Sequence, residues 1–301
     1  MGIKNIGWIG TGVMGSSMCM HIVKAGFNVF VYNRTKEKAS DLINKGAAWV
    51  DSAGEMAGKI DIIFSIVGYP KDVEETILGK NGVLENMRDD SIIVDMTTSS
   101  PVLAENIYAE AKKKSIFALD APVSGGDVGA VEGTLAIMVG GDFGAYKKAL
   151  PFFRIMGKNI AYMGKAGNGQ HTKMSNQILI AGTMTGVVES LLYAYKSGIN
   201  LDEVIDVIGK GAAASWSINN LGRRIAKRDF KPGFFIKHFV KDMGIALEEA
   251  KRMKLSLPGL ALANQFYLSA VSLGFENLGT QGLYKVFEKM NNVNSNRPNI
   301  I

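Results

Sequence analysis

At 301 residues the chain is long for a single core and short for three ordinary domains, so two domains are expected. Its 47% hydrophobic and 21% charged residues match a soluble globular protein, and a lone cysteine, Cys19, excludes an internal disulfide and reads as a small buried hydrophobe. The net charge of +6 is scattered along the chain, which argues against nucleic-acid binding and leaves a mild positive field suited to anionic cofactors and substrates.

The opening MGIKNIGWIG lacks the continuous apolar run of a signal peptide, and a cytoplasmic protein is expected. Up to about Gly164, short β-rich runs alternate with amphipathic helical ones. KNIGWI, NVFVY, IDIIFSIV, SIIVDM, SIFALDA, TLAIMVGG and NIAYMG read as strands, each nearly continuous in apolar residues, as a sheet covered on both faces requires. MGSSMCMHIVKAG, TKEKASDLINKG, PVLAENIYAEAKKK and DFGAYKKALPFFRIM read as helices between them. The alternation predicts an α/β domain over residues 1–164, a Rossmann-type doubly wound and mostly parallel sheet.

Beyond it the strand patterns vanish, and residues 165–291 read as an all-α domain, with a polar tail, 292–301, expected to fray. A long helix is predicted to start near Gly169, carrying Lys173 at the domain junction. Its apolar stretch, Ile178–Leu192, is shorter than the ~20 residues of a membrane span, contains Glu189 and is flanked by Lys173 and Lys196. A buried helix is expected. That stretch exceeds what one small helical domain can cover, which points to a homodimer or homotetramer.

Gly10, Gly12 and Gly15 form a G-x-G-x-x-G turn, with Val13 and Met14 inside it, directly after a strand pattern and at the start of a helix. The first glycine suits a tight turn, the second lets backbone approach a pyrophosphate, and the third lets helix and strand pack closely. Phosphates would rest on the free N–H groups of the helix N-terminus. At the end of the second strand an NAD enzyme usually carries Asp or Glu; this chain reads Asn33-Arg34-Thr35. Arg34 offers a planar donor fork for a 2′-phosphate and Thr35 a hydroxyl, so NADP(H) is favoured and NAD(H) remains open. Arg34 can equally be read as a surface charge at a helix start.

The segment GNGQHTKMSNQ (167–177) places a lone lysine, Lys173, at the mouth of the long apolar helix. It reads either as a snorkelling lysine or as a functional ammonium. IGWIGTGVMGSSM, DMTTSSP (95–101), DAPVSGG (120–126), GNGQHTKMSNQ and FVKDMGIAL (239–247) together resemble, in order and over nearly the whole chain, the β-hydroxyacid dehydrogenases. That family includes 3-hydroxyisobutyrate dehydrogenase, tartronate semialdehyde reductase and the glyoxylate/succinic semialdehyde reductases.

The resemblance implies reduction of a small aldehyde acid by NADPH, or oxidation of the corresponding hydroxy acid. Lys173 matches the catalytic lysine, which stabilises negative charge growing on the carbonyl oxygen and supplies its proton. Ser124, Gly125 and Gly126 match the loop that holds the substrate carboxylate, although by themselves they read as an ordinary glycine turn. Thr98 matches a position on the nicotinamide side, and Val67 one near the adenosine, where Gly68-Tyr69 departs from the usual Pro-Asn. Lys241 matches a lysine that closes over the nicotinamide, with Asp242 in support; alone they read as a charged patch on a helix. Many members carry asparagine four residues after the lysine. Here Gln177 stands there, with Asn176 just before it, and either amide can hold substrate. His21, His171 and His238 share no metal-ligand spacing, so no metal is expected. An imine reductase, or a dinucleotide-binding module without activity, is the alternative; relatives of both kinds usually lack the lysine that is kept here.

Overall fold

The computed structural model describes residues 3–293, and the chain divides into two compact units, Met1–Lys173 and Met174–Ile301. The tail expected to fray lies, from residue 294 onward, outside the described residues.

The first unit opens with β1 (Asn5–Ile9), α1 (Val13–Lys24), β2 (Asn28–Tyr32), α2 (Ser40–Asn44), β3 (Ala48–Trp49) and α3 (Ala53–Ala57). Next come β4 (Ile62–Ser65), α4 (Pro70–Leu78), α5 (Val83–Asn86), β5 (Ile92–Asp95) and α6 (Pro101–Lys113). Then follow β6 (Phe117–Asp120), β7 (Val123–Ser124), α7 (Gly126–Glu132), β8 (Leu135–Gly141), α8 (Phe143–Met156) and β9 (Gly157–Tyr162).

Six parallel strands run in the order β3-β2-β1-β4-β5-β6, the doubly wound order with its reversal between β1 and β4. β8 then joins antiparallel to β6 and β7, and β9 pairs parallel with β8. The near-continuous apolar strands have a direct cause. Successive side chains alternate between faces, and both faces are covered. Trp8, Phe64, Val94 and Leu119 enter one core cluster, whereas Ile9, Ile63, Ile93 and Ala118 enter the other.

Register brings the strand ends together: Ile9 pairs with Tyr32 and with Ser65, Ser65 with Asp95, and Asp95 with Asp120. All five carboxyl ends therefore share one edge, where open α/β sheets bind ligands. β3 and β7, two residues each, are too short to leave a periodic signal, and the short helices α3, α5 and α7 likewise escape the sequence reading.

α9 (Asn168–Lys196) starts in the first unit and runs on into the second. It is followed by α10 (Leu201–Ile208), α11 (Arg223–Ala226), α12 (Ile236–Arg252), α13 (Pro258–Ser272) and α14 (Leu283–Met290). Among the described residues α9 alone is long and apolar enough, by length and composition, to cross a membrane. Its Ala181, Met184, Val188 and Leu191 nevertheless lie in the second unit's core with Phe239, Met243, Tyr267 and Phe287. Outward it leaves Leu179 and Tyr193 exposed, at 72% and 76%.

Candidate functional site

The outer two glycines of the first turn differ from the middle one in what an added Cβ would meet. At Gly10, with φ +95°, a Cβ would lie 2.1 Å from the carbonyl of Ile66, and at Gly15 one would lie 2.1 Å from the carbonyl of Gly10. At Gly12 it would meet nothing within 4 Å. The outer two therefore close the turn and seat α1 on the sheet, while the middle one faces open space. α1 begins there with no side-chain cap, so its first N–H groups are available to an anion, and the buried Thr11 hydroxyl has no partner among the described residues. This cradle fits the pyrophosphate of a dinucleotide. Beside it Val13 is exposed and Met14 half-buried.

Asn33 ties the cradle to the end of β2. Its Oδ1 accepts from the Thr11 N–H at 3.1 Å and its Nδ2 donates to the Thr35 carbonyl at 2.8 Å, so its amide organises backbone. Thr35 is exposed. Arg34 extends into solvent and meets Asp72 of α4, Nη1 to Oδ1 at 2.9 Å.

At the next strand ends, the Val67 N–H donates to Thr97 Oγ1 at 3.0 Å, and Thr97 N–H to Asp95 Oδ1 at 3.1 Å. Ser65 Oγ donates to the same Asp95 oxygen at 3.0 Å. Burial pushes the Asp95 carboxyl up to about 6, against the pull of the Thr97 and Ser65 hydrogen bonds and with a further push from Asp120. Thr98 is half-buried beside this cluster.

Residues unremarked in the sequence hold the start of α9. Asp120 Oδ1 accepts from the Gly167 N–H and its Oδ2 from the Gln170 N–H, both at 2.8 Å, so one carboxylate takes two donors at the helix start. Burial still raises the Asp120 pKa, these backbone hydrogen bonds opposing it. Gln170, fully buried, accepts from the Ser99 N–H at 2.9 Å and donates to the Thr97 carbonyl at 2.7 Å. The first turn of α9 is thus tied to the ends of both β5 and β6. A strand-end carboxylate and a lone glutamine in a glycine-rich helix start were the available signals. Their partners lie 47 to 73 residues away, and spacing does not disclose them. One turn on, Lys173 is 6% exposed.

DAPVSGG differs from the expected plain loop. Val123 and Ser124 form β7, paired with Ile137 and Ala136 of β8, before Gly125 and Gly126 turn with φ +135° and +66° into α7. Ser124 is half-buried, and the sharp glycine turn leaves it at the end of a strand.

In the second unit Asn176 Nδ2 donates to Gln177 Oε1, and Gln177 Nε2 to Asp242 Oδ2, both at 2.7 Å. Lys241 Nζ lies 2.9 Å from Asp242 Oδ1. Gln177 and Asp242 are each 1% exposed, so the bonded row ends on a buried carboxylate neutralised by a lysine. His238 has its pKa lowered by burial and then by the Lys241 charge. His21 Nε2 lies 3.0 Å from the carbonyls of Ala130 and Val131, a structural contact. Cys19 is fully buried and burial pushes its thiol pKa upward, as expected of an unreactive packing residue.

Comparison with known proteins finds relatives over both units. A family model described as the NAD binding domain of 6-phosphogluconate dehydrogenase matches residues 5–164. A second, described as NAD-binding of NADP-dependent 3-hydroxyisobutyrate dehydrogenase, matches residues 167–287. The uncharacterized oxidoreductase YkwC of Bacillus subtilis (strain 168) is 53% identical over 95% of this chain and 99% of its own length. The 2-hydroxy-3-oxopropionate reductase of Escherichia coli (strain K12) is 36% identical over 95% of this chain and 98% of its own. A solved structure of Mycobacterium tuberculosis 3-hydroxyisobutyrate dehydrogenase with L-serine is 28% identical, covers 95% of this chain and 99% of its own, and superposes with a TM-score of 0.86. The chain belongs to the β-hydroxyacid dehydrogenase family and is an NAD(P)-dependent oxidoreductase.

Proposed function

We propose that this protein is a cytoplasmic, NADPH-dependent reductase of small aldehyde acids such as semialdehydes or glyoxylate, or runs in reverse as a 3-hydroxyisobutyrate-type dehydrogenase. The observation that carries the reading is Lys173, a buried lysine one turn into a helix whose start is pinned by Asp120 and Gln170 to the strand ends. An amine so held loses little entropy on meeting a developing oxyanion as its ammonium form.

Bound NAD(P)H supplies the hydride, with its pyrophosphate on the cradle from Gly10 to Gly15. Lys173 Nζ holds the carbonyl oxygen and gives it a proton as the hydroxy acid forms; in oxidation its neutral amine takes that proton. Ser124 and the backbone of Gly125 and Gly126 receive the substrate carboxylate. Thr98 and Val67 would hold the cofactor, and Lys241 is the lysine that the family resemblance assigns to its nicotinamide. Asn176 contacts the substrate, whereas Gln177, bonded to both Asn176 and Asp242, positions it. The names of the relatives support small hydroxy or aldehyde acids, since 2-hydroxy-3-oxopropionate and L-serine each join a carboxylate to an oxygen-bearing carbon by a short chain.

Steady-state comparison of succinic, methylmalonate and tartronate semialdehydes and glyoxylate, each with NADPH and with NADH, tests the proposal. Tight cofactor binding without turnover of any of them would instead favour an imine reductase or a non-catalytic dinucleotide-binding module. We also propose self-association as a homodimer or homotetramer, supported by the exposed Leu179 and Tyr193 on α9; sedentary monomer mass in sedimentation equilibrium would refute it.

A further inference from the structure

The carboxylate missing from the end of β2 reappears from another element. Asn33, Arg34 and Thr35 occupy the place where an NAD-binding chain usually carries an acid for the adenosine ribose. Yet Asp72, the third residue of α4, meets Arg34 with its Oδ1 at 2.9 Å and accepts from the Tyr69 N–H with its Oδ2 at 3.0 Å. β2 and β4 flank β1 in the sheet, so an ion pair between the chain leaving β2 and the helix following β4 spans the carboxyl end of β1, where the phosphate cradle begins.

We infer that Asp72 is a specificity-determining residue, a carboxylate that blunts the preference for NADPH by neutralising Arg34 at the adenosine ribose. This rests on the reading of Arg34 as the partner of a 2′-phosphate. Arg34 alone would present one positive charge to a group carrying nearly two negative ones. With Asp72 beside it the pair is neutral, and a 2′-phosphate must share the guanidinium with the carboxylate and meet its repulsion. A ribose with a free 2′-hydroxyl meets neither cost, and Asp72 can accept a hydrogen bond from that hydroxyl. The Arg34 side chain is 75% exposed and that of Asp72 18%, so the carboxylate is the fixed member and the guanidinium the one able to turn toward a ligand.

The same carboxylate caps α4, and a purely structural role would affect both cofactors alike. Asp72→Asn and Asp72→Ser each keep an oxygen for the Tyr69 N–H while removing the charge, so the test survives if one of them folds poorly. Binding of NADPH and NADH is measured by fluorescence and of 2′,5′-ADP and 5′-AMP by calorimetry. At low salt the neutral variants should bind NADPH and 2′,5′-ADP roughly three- to tenfold more tightly, as expected for removing one charge at about 6 Å in water. NADH and 5′-AMP should change less than about twofold, and the gain should shrink as salt is added. Asp72→Glu should retain the parent selectivity. Equal changes for phosphorylated and unphosphorylated ligands, or none, would overturn the role of Asp72. Arg34→Ala separates the two layers. A selective loss of NADPH with unresponsive Asp72 variants refutes only the Asp72 inference, whereas NADPH and NADH equally affected by Arg34→Ala refutes the 2′-phosphate reading beneath it.

Discussion

Gln177 donates to the buried carboxylate of Asp242 at 2.7 Å while accepting from Asn176 at the same distance. The two neighbouring amides are therefore unequal: one is enclosed and bonded at both ends, the other half-buried. Gln177→Leu would leave Asp242, 1% exposed, short of a donor, and should cost about 1–3 kcal/mol of stability, the usual penalty for stranding a buried polar group. Asn176→Ala should cost less and should act chiefly on the KM of the aldehyde acid. Urea denaturation of both variants checks the order, and a larger loss for Asn176→Ala would reverse the assigned roles.

Lys173→Ala removes the ammonium while leaving the cradle and the Asp120 staple intact. Turnover should fall by roughly 10²–10⁴, the range for a lost general acid, with NADPH affinity nearly unchanged. Pre-steady-state hydride transfer and a cofactor titration on the same preparation measure the two effects. Turnover equal to the parent would remove Lys173 from the chemistry.

The glycine turn predicts a split between folding and binding. Gly15→Ala forces a Cβ to within 2.1 Å of the Gly10 carbonyl, a backbone group, and 2.8 Å of Ile66 Cγ2, so it should destabilise the first unit markedly. Gly12→Ala has room, should fold with a parental melting temperature, and should still weaken dinucleotide binding because its methyl group occupies the approach to the helix N-terminus. Thermal melts beside cofactor titrations distinguish the variants. A Gly12→Ala protein that binds NAD(P)H as tightly as the parent would contradict the cradle.

Asp95 sets a slope of stability with pH. Its folded pKa, about 6, lies above the ordinary value of 3.8, so the folded state holds a proton more tightly than the unfolded chain does. The stabilisation this confers is complete below about pH 4 and is lost as pH rises through 6, amounting to about 3 kcal/mol across the window. Asp95→Asn keeps one oxygen for Ser65 and Thr97 and does not ionise. Its stability relative to the parent should therefore rise between pH 4 and 7, as urea midpoints across that range would report; a difference independent of pH would contradict the raised pKa.

Local pattern was enough to read β1, β2, β4, β5, β6, β8 and β9, the long helices, the glycine turn after β1 and the lysine entering α9, because each rests on periodicity or residue type over a few positions. It was also enough to show which residues stand after β2 and which amides follow Lys173. Pairing across the chain was not legible. That Asp120 and Gln170 hold the start of α9, that Arg34 meets Asp72, and that Gln177 rather than Asn176 is bonded to Asp242 all depend on groups 38 to 73 residues apart meeting within hydrogen-bond distance. β7 was hidden for a related reason, since two residues become a strand only when β8 is present to pair with them. Sequence by itself determined the doubly wound class and the chemical types available at the site. Tertiary structure alone decided which polar groups are already bonded to one another and which face outward, because burial and register, which no single segment contains, make that choice.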